Sequence, residues 1–291
     1  VYIRPSIAGS HAPFKDYLAR WDLIPDGQPV ITHSSHLLPV RQGDVLAMLK
    51  IAVEAEEKFG ALLMSWWAGN GAARVLAHEG DALLMERAEN NVSLVDLARN
   101  GGDDEASRVI CGTISVLHTQ RDEPPFDLIP LTKWFEGLAP AAAKHGGILT
   151  TCASIASELL AAPQEVVVLH GDIHHQNILD FGQKGWLAID PKRLSGERGF
   201  DYANLFCNPD AKTAISAGRL ARQVAVVVEA TGLERTRLLQ WILAWAGLSA
   251  AWCLDDDGGD GAGGRHDGPD RQSCKSKLVV AELAAAELRR R

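Results

Sequence analysis

The stretch VLHGDIHHQNIL, residues 168–179, follows an apolar, strand-like run and packs three histidines, an aspartate and an asparagine into eight positions. The histidines suggest a metal first. His174 and His175 are adjacent on one turn, however, so they point in different directions, and no third ligand stands near them in the sequence. The remaining polar residues are more informative. Asp172 follows a strand and a glycine, which places it on a tight turn, and Asn177 comes five residues later. Asp190 lies thirteen residues beyond Asn177, at the end of the strand-like run GWLAIDP (185–191) and just before Pro191.

These residue types in this order suit phosphoryl transfer. A carboxylate beside an acceptor hydroxyl can orient it and take its proton as the new bond forms. An asparagine carbonyl and an aspartate carboxylate are hard oxygen ligands of the kind Mg²⁺ prefers. Asp172 is therefore the candidate base, and Asn177 and Asp190 are the candidate metal ligands. The Asp-to-Asn spacing is that of the protein-kinase catalytic loop, with IDP (189–191) standing where those enzymes carry Asp-Phe-Gly. The DFG at 180–182 is a decoy: it falls three residues after Asn177, in the turn between two strands, where Asp and Gly are ordinary turn residues. His170 is read as holding the loop by hydrogen bonds, and Asp201 as a helix N-cap that also braces it.

Working towards the N-terminus, PVITHSSHLLPVRQGDVLAMLKI (29–51) reads as two strands around the turn RQGD, and EAEEKFGALLMSWW (54–67) as a helix. AARVLAHEGDALLMERA (72–88) reads as strand, turn, strand. This β-β-α-β-β order predicts a small antiparallel sheet with one helix. Lys50 ends the second strand, where it can meet the α- and β-phosphates of a nucleotide, and a glutamate early in the next helix should hold it; Glu54, Glu56 and Glu57 are all available. Glu86-Arg87-Ala88 is read as a hinge, with the backbone of Glu86 and Ala88 facing adenine.

Towards the C-terminus, residues 89–104 are polar and glycine-rich and read as a connection. Helices are predicted at 103–118, 132–144 and 150–162, short strands on either side of the catalytic loop, mostly helix from about 200 to 254, and a closing helix at about 276–290. The acidic run beginning Asp255-Asp256-Asp257 reads as a flexible loop. The expected fold class is α+β: a two-lobed molecule with a sheet-based nucleotide lobe over 1–87 and a larger, mainly helical lobe over 88–291.

Composition is that of an ordinary soluble protein, 46% apolar and 23% charged. A net charge of −8 argues against a nucleic-acid partner. Five cysteines, odd in number and without a CxxC, argue against disulfides or structural zinc and fit a reducing, cytoplasmic setting. Arg4, Lys15, Asp16 and Arg20 interrupt any signal-peptide-like run. The apolar segment 238–254 is short for a membrane span and contains Gln240 and Ser249, so it reads as a buried helix. The tryptophans there and at 66–67 are read as core.

LHGDIHHQNIL and GWLAIDP resemble the aminoglycoside phosphotransferase and choline-kinase group, whose motif is HGDxxxxN followed by a metal-binding aspartate. THSSHLLPVRQG (32–43), SWWAGNGAARVL (65–76), GERGFDYANLFCNPD (196–210) and AGLSAAW (246–252) more specifically resemble the streptomycin 6-phosphotransferases and their hydroxyurea-kinase relatives, from about Trp21 to Trp252. The resemblance implies a protein-kinase-like fold, ATP and Mg²⁺ as cofactors, and a hydroxyl of streptomycin as acceptor; a kinase of hydroxyurea or another alcohol is the alternative. It selects Glu57, three residues before Gly60, as the partner of Lys50. It replaces a GxGxxG loop with THSSH, where Ser34 and Ser35 would offer hydroxyls and backbone N–H groups to phosphate. Streptomycin carries two guanidinium groups, which gives Asp255, Asp256 and Asp257 a substrate-binding reading.

Overall fold

The computed structural model describes residues 11–32, 34–256 and 271–290, with the side chains of 55–58, 255, 256 and 271 outside the description. After a helical turn, α1 (Lys15–Arg20) leads into β1 (Ile24–Pro25), β2 (Val30–Ile31), β3 (Ser35–Gln42) and β4 (Val45–Ala52). α2 (Ala55–Trp67) precedes β5 (Val75–Glu79) and β6 (Ala82–Glu86). The six strands form one antiparallel sheet in the order β1-β3-β4-β6-β5, with β2 on β3. The expected hairpin pairs Gln42 with Val45 across its turn, and the short β1 and β2 are additions to the expected order.

Alternation along these strands sorts side chains between two faces. Leu38, Val40, Ala47, Leu49 and Leu84 pack with Phe14 and Leu23 under the N-terminal helical turn and α1. The opposite face carries Met48, Leu83 and Met85, which pack with Ala61 and Met64 of α2 and with Phe181 and Leu187. Lys50 lies two residues after Met48 and so faces the same way, towards the segment that carries Asp190.

Beyond the sheet come α3 (Leu94–Leu97), a kinked turn at Asn100–Gly101, and α4 (Asp103–Leu117). The polar connection expected at 89–104 therefore contains a short helix, capped by the Ser93 hydroxyl on Asp96 N. β7 (Ile129–Pro130), α5 (Leu131–Trp134), α6 (Leu138–His145) and α7 (Ile148–Ala161) follow. β8 (Val166–Leu169), β9 (Ile178–Asp180), β10 (Trp186–Ala188) and β11 (Leu194–Glu197) frame the catalytic loop: β9 and β10 form a hairpin, and β11 joins β8 to β7. Two 3₁₀ turns, Arg198–Tyr202 and Asn204–Cys207, lead to α8 (Ala211–Ala214), α9 (Arg219–Thr231), α10 (Arg235–Asp256) and α11 (Arg271–Arg289).

The segment 238–251 is buried almost all round, as a helix apolar on every side should be. Trp241 and Trp245 meet Phe200 edge-on there. No helix among the described residues is long and apolar enough to cross a membrane. α11 begins at Arg271, five residues before the predicted start.

Two seams tie the sheet to the loop-bearing hairpins. Ala188 N donates to Gly71 O at 2.8 Å, and Ala73 N donates to Ala188 O at 2.9 Å. Glu89 N and Asn90 N both donate to Asp180 O. Asp180 thus serves the turn and the seam, its carboxylate accepting from Gly182 N at 2.8 Å.

Candidate active site

The catalytic loop leaves β8 through Gly171, whose φ is +87°. A Cβ there would lie 2.8 Å from Leu194 Cδ1 and 3.1 Å from Lys192 Cβ, so only glycine supports this turn against β11. Asp201, fully buried, fastens the turn from below: its Oδ2 accepts from His170 N at 2.9 Å and its Oδ1 from Gly171 N at 2.8 Å. His118 Nε2 lies 2.8 Å from Oδ2. Burial alone would raise the Asp201 carboxyl, but the hydrogen bond and charge of His118 and the backbone donors outweigh it and hold the group below its ordinary range. Asp201 therefore braces the loop as expected. It is not an N-cap, because it sits inside a 3₁₀ turn that Glu197 precedes.

His170 joins both halves of the site. Its Nε2 donates to Ile189 O at 2.8 Å, and its Nδ1 accepts from Asp172 N at 3.3 Å. Burial lowers its pKa, in keeping with a neutral ring that has one donor and one acceptor. The ring so fixes the turn at Asp172 relative to the residue before Asp190.

Asp172 is partly exposed, and Asn204 Nδ2 donates to its Oδ1 at 3.0 Å. Asn177 Nδ2 donates to the Asp172 backbone O at 2.9 Å and stands 3.4 Å from Oδ2. With that nitrogen committed, Asn177 Oδ1 is the end of the amide left to meet a cation. Ile189 N donates to Asn177 O at 2.9 Å, which brings Asp190 beside Asn177. Asp190 has φ +60°, a left-handed conformation that is uncommon outside glycine and concentrates at functional sites. Its Oδ1 accepts from Lys50 Nζ at 2.8 Å, with the lysine almost wholly buried.

The residues named from the motif thus converge: Lys50, Asp172, Asn177 and Asp190 form one cluster between sheet and helices. Asn177 Oδ1 and the Asp190 carboxylate are hard oxygen donors, and a divalent cation on a phosphate chain needs only one or two such protein groups, phosphate and water completing its shell. The donor set therefore fits Mg²⁺. Among the described residues no trio of His, Cys, Asp or Glu is arranged to hold a metal by itself. His174 Nε2 stands 4.0 Å from Asp172 Oδ1. His175 is buried with both ring nitrogens unpartnered, and burial pushes its pKa down to about 3.

Other expected residues are placed differently. Ser35 is buried, and its N–H donates to Thr32 Oγ1 at 3.0 Å, so this amide is not offered to phosphate as the loop chemistry suggested. The threonine hydroxyl closes the loop on itself instead, and the Ser34 carbonyl accepts from Val53 N and Glu54 N. Ser34 is half-buried, its hydroxyl 3.4 Å from Thr32 Oγ1. Glu86 uses its side chain internally, on Arg74 N at 2.8 Å and on Lys184 Nζ, while its own N–H goes to Arg74 O. Ala88 makes no backbone hydrogen bond within the described residues. The side chains of Glu57, Asp255 and Asp256, and all of Asp257, lie outside the described residues.

Beside Asp172 opens a cavity of about 910 Å³, within the size range of a small-molecule site. Trp134, Trp245, Trp252, Asn204, Asp210 and His174 contribute to its wall. Trp252 is partly exposed and packs edge-on against both Trp134 and Trp245. The expectation that these tryptophans are core holds for Trp241 and for Trp245, whose edge also meets the cavity, and fails for Trp252, which is 37% exposed. Asn204 and Asp210 were not singled out from the sequence. They lie within GERGFDYANLFCNPD, a stretch with no spacing rule linking it to Asp172.

A small antiparallel sheet facing a helical body, with a loop-borne Asp-Asn pair and a lysine–aspartate bridge between them, is the architecture of protein-kinase-like small-molecule phosphotransferases. Solved structures agree on the fold. A choline/ethanolamine kinase family protein from Mesorhizobium loti superposes with a TM-score of 0.63 at 16% identity, over 94% of this chain and 98% of that one. Aminoglycoside phosphotransferase APH(4)-Ia, as a ternary complex with ADP and hygromycin B, gives 0.60 at 11% identity, over 94% and 97%. The chain belongs to the aminoglycoside/hydroxyurea antibiotic resistance kinase family, whose model matches residues 20–258. It is 54% identical over 244 residues to the streptomycin 3''-kinase of Klebsiella pneumoniae, covering 82% of this chain and 91% of that protein. It is 28% identical over 281 residues to the streptomycin 6-kinase of Streptomyces griseus, covering 87% and 86%.

Proposed function

We propose that this chain transfers the γ-phosphoryl group of ATP to a hydroxyl of streptomycin. The observation that carries the reading is the placement of Asp172 at the edge of a drug-sized cavity, with the Lys50–Asp190 pair tied to the same turn through His170, which bridges Ile189 O and Asp172 N. Asp172 accepts the proton of the acceptor hydroxyl as its oxygen attacks the γ-phosphorus, and the bond to the ADP oxygen breaks. Lys50 holds the α- and β-phosphates, with Glu57 as its helix partner. Asn177 and Asp190 would hold Mg²⁺, which when bound neutralises phosphate charge. The Ser34 hydroxyl contacts phosphate, and the backbone around Glu86 and Ala88 receives adenine, which offers an amino donor and a ring-nitrogen acceptor. On this reading the nucleotide-binding part is residues 1–87, and the remainder binds the acceptor.

The resemblance in the sequence pointed to the 6-hydroxyl. Identity of 54% to a streptomycin 3''-kinase, against 28% to a 6-kinase, favours the 3''-hydroxyl, and the proposal adopts it. Asp210 stands in the described cavity wall, where it caps α8 and already pairs with the Arg99 guanidinium, so a substrate guanidinium would share or displace that partner; Asp255, Asp256 and Asp257 are proposed on their carboxylate chemistry alone. The test is the product: incubation with Mg-ATP and streptomycin, then ³¹P–¹H correlation spectroscopy of the modified drug. Coupling of phosphorus to the 3'' proton is expected. Coupling to the 6 proton would overturn the position, and turnover of hydroxyurea but not streptomycin would overturn the acceptor.

A further inference from the structure

The carboxylate at the centre of the site is not held by the motif alone. Asn204, 8% exposed, lies in the second of the two 3₁₀ turns and donates from Nδ2 to Asp172 Oδ1 at 3.0 Å. A side-chain amide can face a neighbour with either end, so what fixes this one matters. Two donors do. Trp245 Nε1, which can only donate, lies 2.9 Å from Asn204 Oδ1. Asn208 Nδ2 donates to the same oxygen at 3.0 Å and to the Asn204 backbone carbonyl at 2.9 Å, and that carbonyl, which can only accept, sets the Asn208 amide in turn. With its oxygen claimed twice, the Asn204 amide must present N–H to Asp172.

We infer that Asn204 is a positioning residue for phosphoryl transfer, its amide locked by Trp245 and Asn208 so that it holds the Asp172 carboxylate in one rotamer at the cavity edge. Asn204 and Trp245 both line the acceptor cavity, so the device reaches from the cavity wall to the reacting group. It works from the side opposite the Asn177 contact, which reaches Oδ2. The carboxylate is thereby held from two directions. A freely turning carboxylate would spend much of its time aimed away from the hydroxyl, and small misplacements of a catalytic group are costly.

The inference rests on the reading of Asp172 as the base, and the test separates the two. Asn204→Asp keeps the shape and both bonds to its oxygen but replaces the donor facing Asp172 with an acceptor. In steady-state assays with streptomycin and Mg-ATP, kcat is expected to fall about 10–100-fold. KM for both substrates should stay within about threefold, as for a group that acts in the transition state rather than in binding. Asn204→Ala, which cannot repel Asp172, is expected to show the same split and covers the case in which the aspartate variant does not fold. A role confined to packing predicts lowered melting temperature with kcat retained in the folded fraction, and that result in either variant overturns the inference. Absence of streptomycin turnover in the unsubstituted protein would overturn the reading of the site, and this inference with it.

Discussion

At the scale of single residues, the site works by giving each polar group one task. Lys50 is buried on the α2 face of the sheet with Asp190 as its counter-ion, and on the proposed reading its ammonium meets the phosphate chain. A lysine so placed acts as a fixed cation in a poorly solvated setting, where charge stabilisation is strong. Lys50→Met is expected to lower kcat/KM for ATP by roughly 10²–10³-fold, the usual size of losing one such donor. Steady-state kinetics with ATP as the varied substrate checks it, and a loss below about fivefold would remove Lys50 from the phosphate site. Lys50, Asp172, Asn177 and Asp190 were readable because local spacing encodes them: a strand end, a tight turn and a short hairpin each put one side chain in place. Asn204 and Asp210 were not, since Asn204 reaches Asp172 from a 3₁₀ turn and Asp210 caps α8 beside the cavity, and the path of that segment is set by packing. The engagement of the Ser35 amide is hidden for a related reason: the sequence shows a small polar loop but not that Thr32 Oγ1 takes this N–H.

At the scale of elements, two helix glycines with opposite surroundings show what positions the site. Gly60 lies in α2 where a Cβ would come within 2.8 Å of Pro191 O, the residue after Asp190. That oxygen is backbone and cannot swing aside, so α2 sits against the Asp190 segment only because position 60 has no side chain. Gly60→Ala is expected to destabilise by about 1–3 kcal/mol, the usual cost of overpacking. Gly112 lies within α4 with nothing inside 4 Å of its would-be Cβ. Gly112→Ala is expected to stabilise by roughly 0.5–1 kcal/mol through helix propensity and the unfolded chain. Denaturant melts of both variants test the pair, and equal effects would refute the close approach of α2 to Pro191. The main helices and the β3–β4 hairpin were visible as periodicity and turn chemistry. β7 and β11 were not, because Ile-Pro and Leu-Ser-Gly-Glu lack the apolar run that marks β8, and they exist by pairing, β11 on β8 and β7 on β11.

At the scale of the whole molecule, buried carboxylates hold the helical part to the catalytic loop. Asp201 fastens His170 and Gly171, and Glu197 accepts from Trp241, Arg237 and Gln164 N. Burial opposes ionisation at both, but their hydrogen-bond donors win, so both folded pKa values lie below the unfolded ones. The unfolded chain then takes up protons first as pH falls. Their stabilisation is full above the unfolded values of 3.8 and 4.5 and is lost as pH drops through the folded values. Melting temperature is expected to be level with respect to these groups above about pH 5 and to fall steeply below about pH 4. Asp201→Asn should flatten that fall; an unchanged acid limb would show that Asp201 does not carry it. The α+β division into sheet and helical body was evident from the order of elements. The cavity was not, since it depends on α10 and α11 closing over residues that are far apart in the chain.

The central claim is that Asp172 drives phosphoryl transfer to streptomycin. The most direct measurement is transfer of labelled γ-phosphate from Mg-ATP to streptomycin by the unsubstituted protein and by Asp172→Ala, with nucleotide binding measured alongside. Streptomycin-dependent labelling is expected in the first, with a loss of roughly 10²–10⁴-fold in the second and nucleotide affinity largely kept. Labelling by Asp172→Ala at the unsubstituted rate, or none by either protein, would contradict the account.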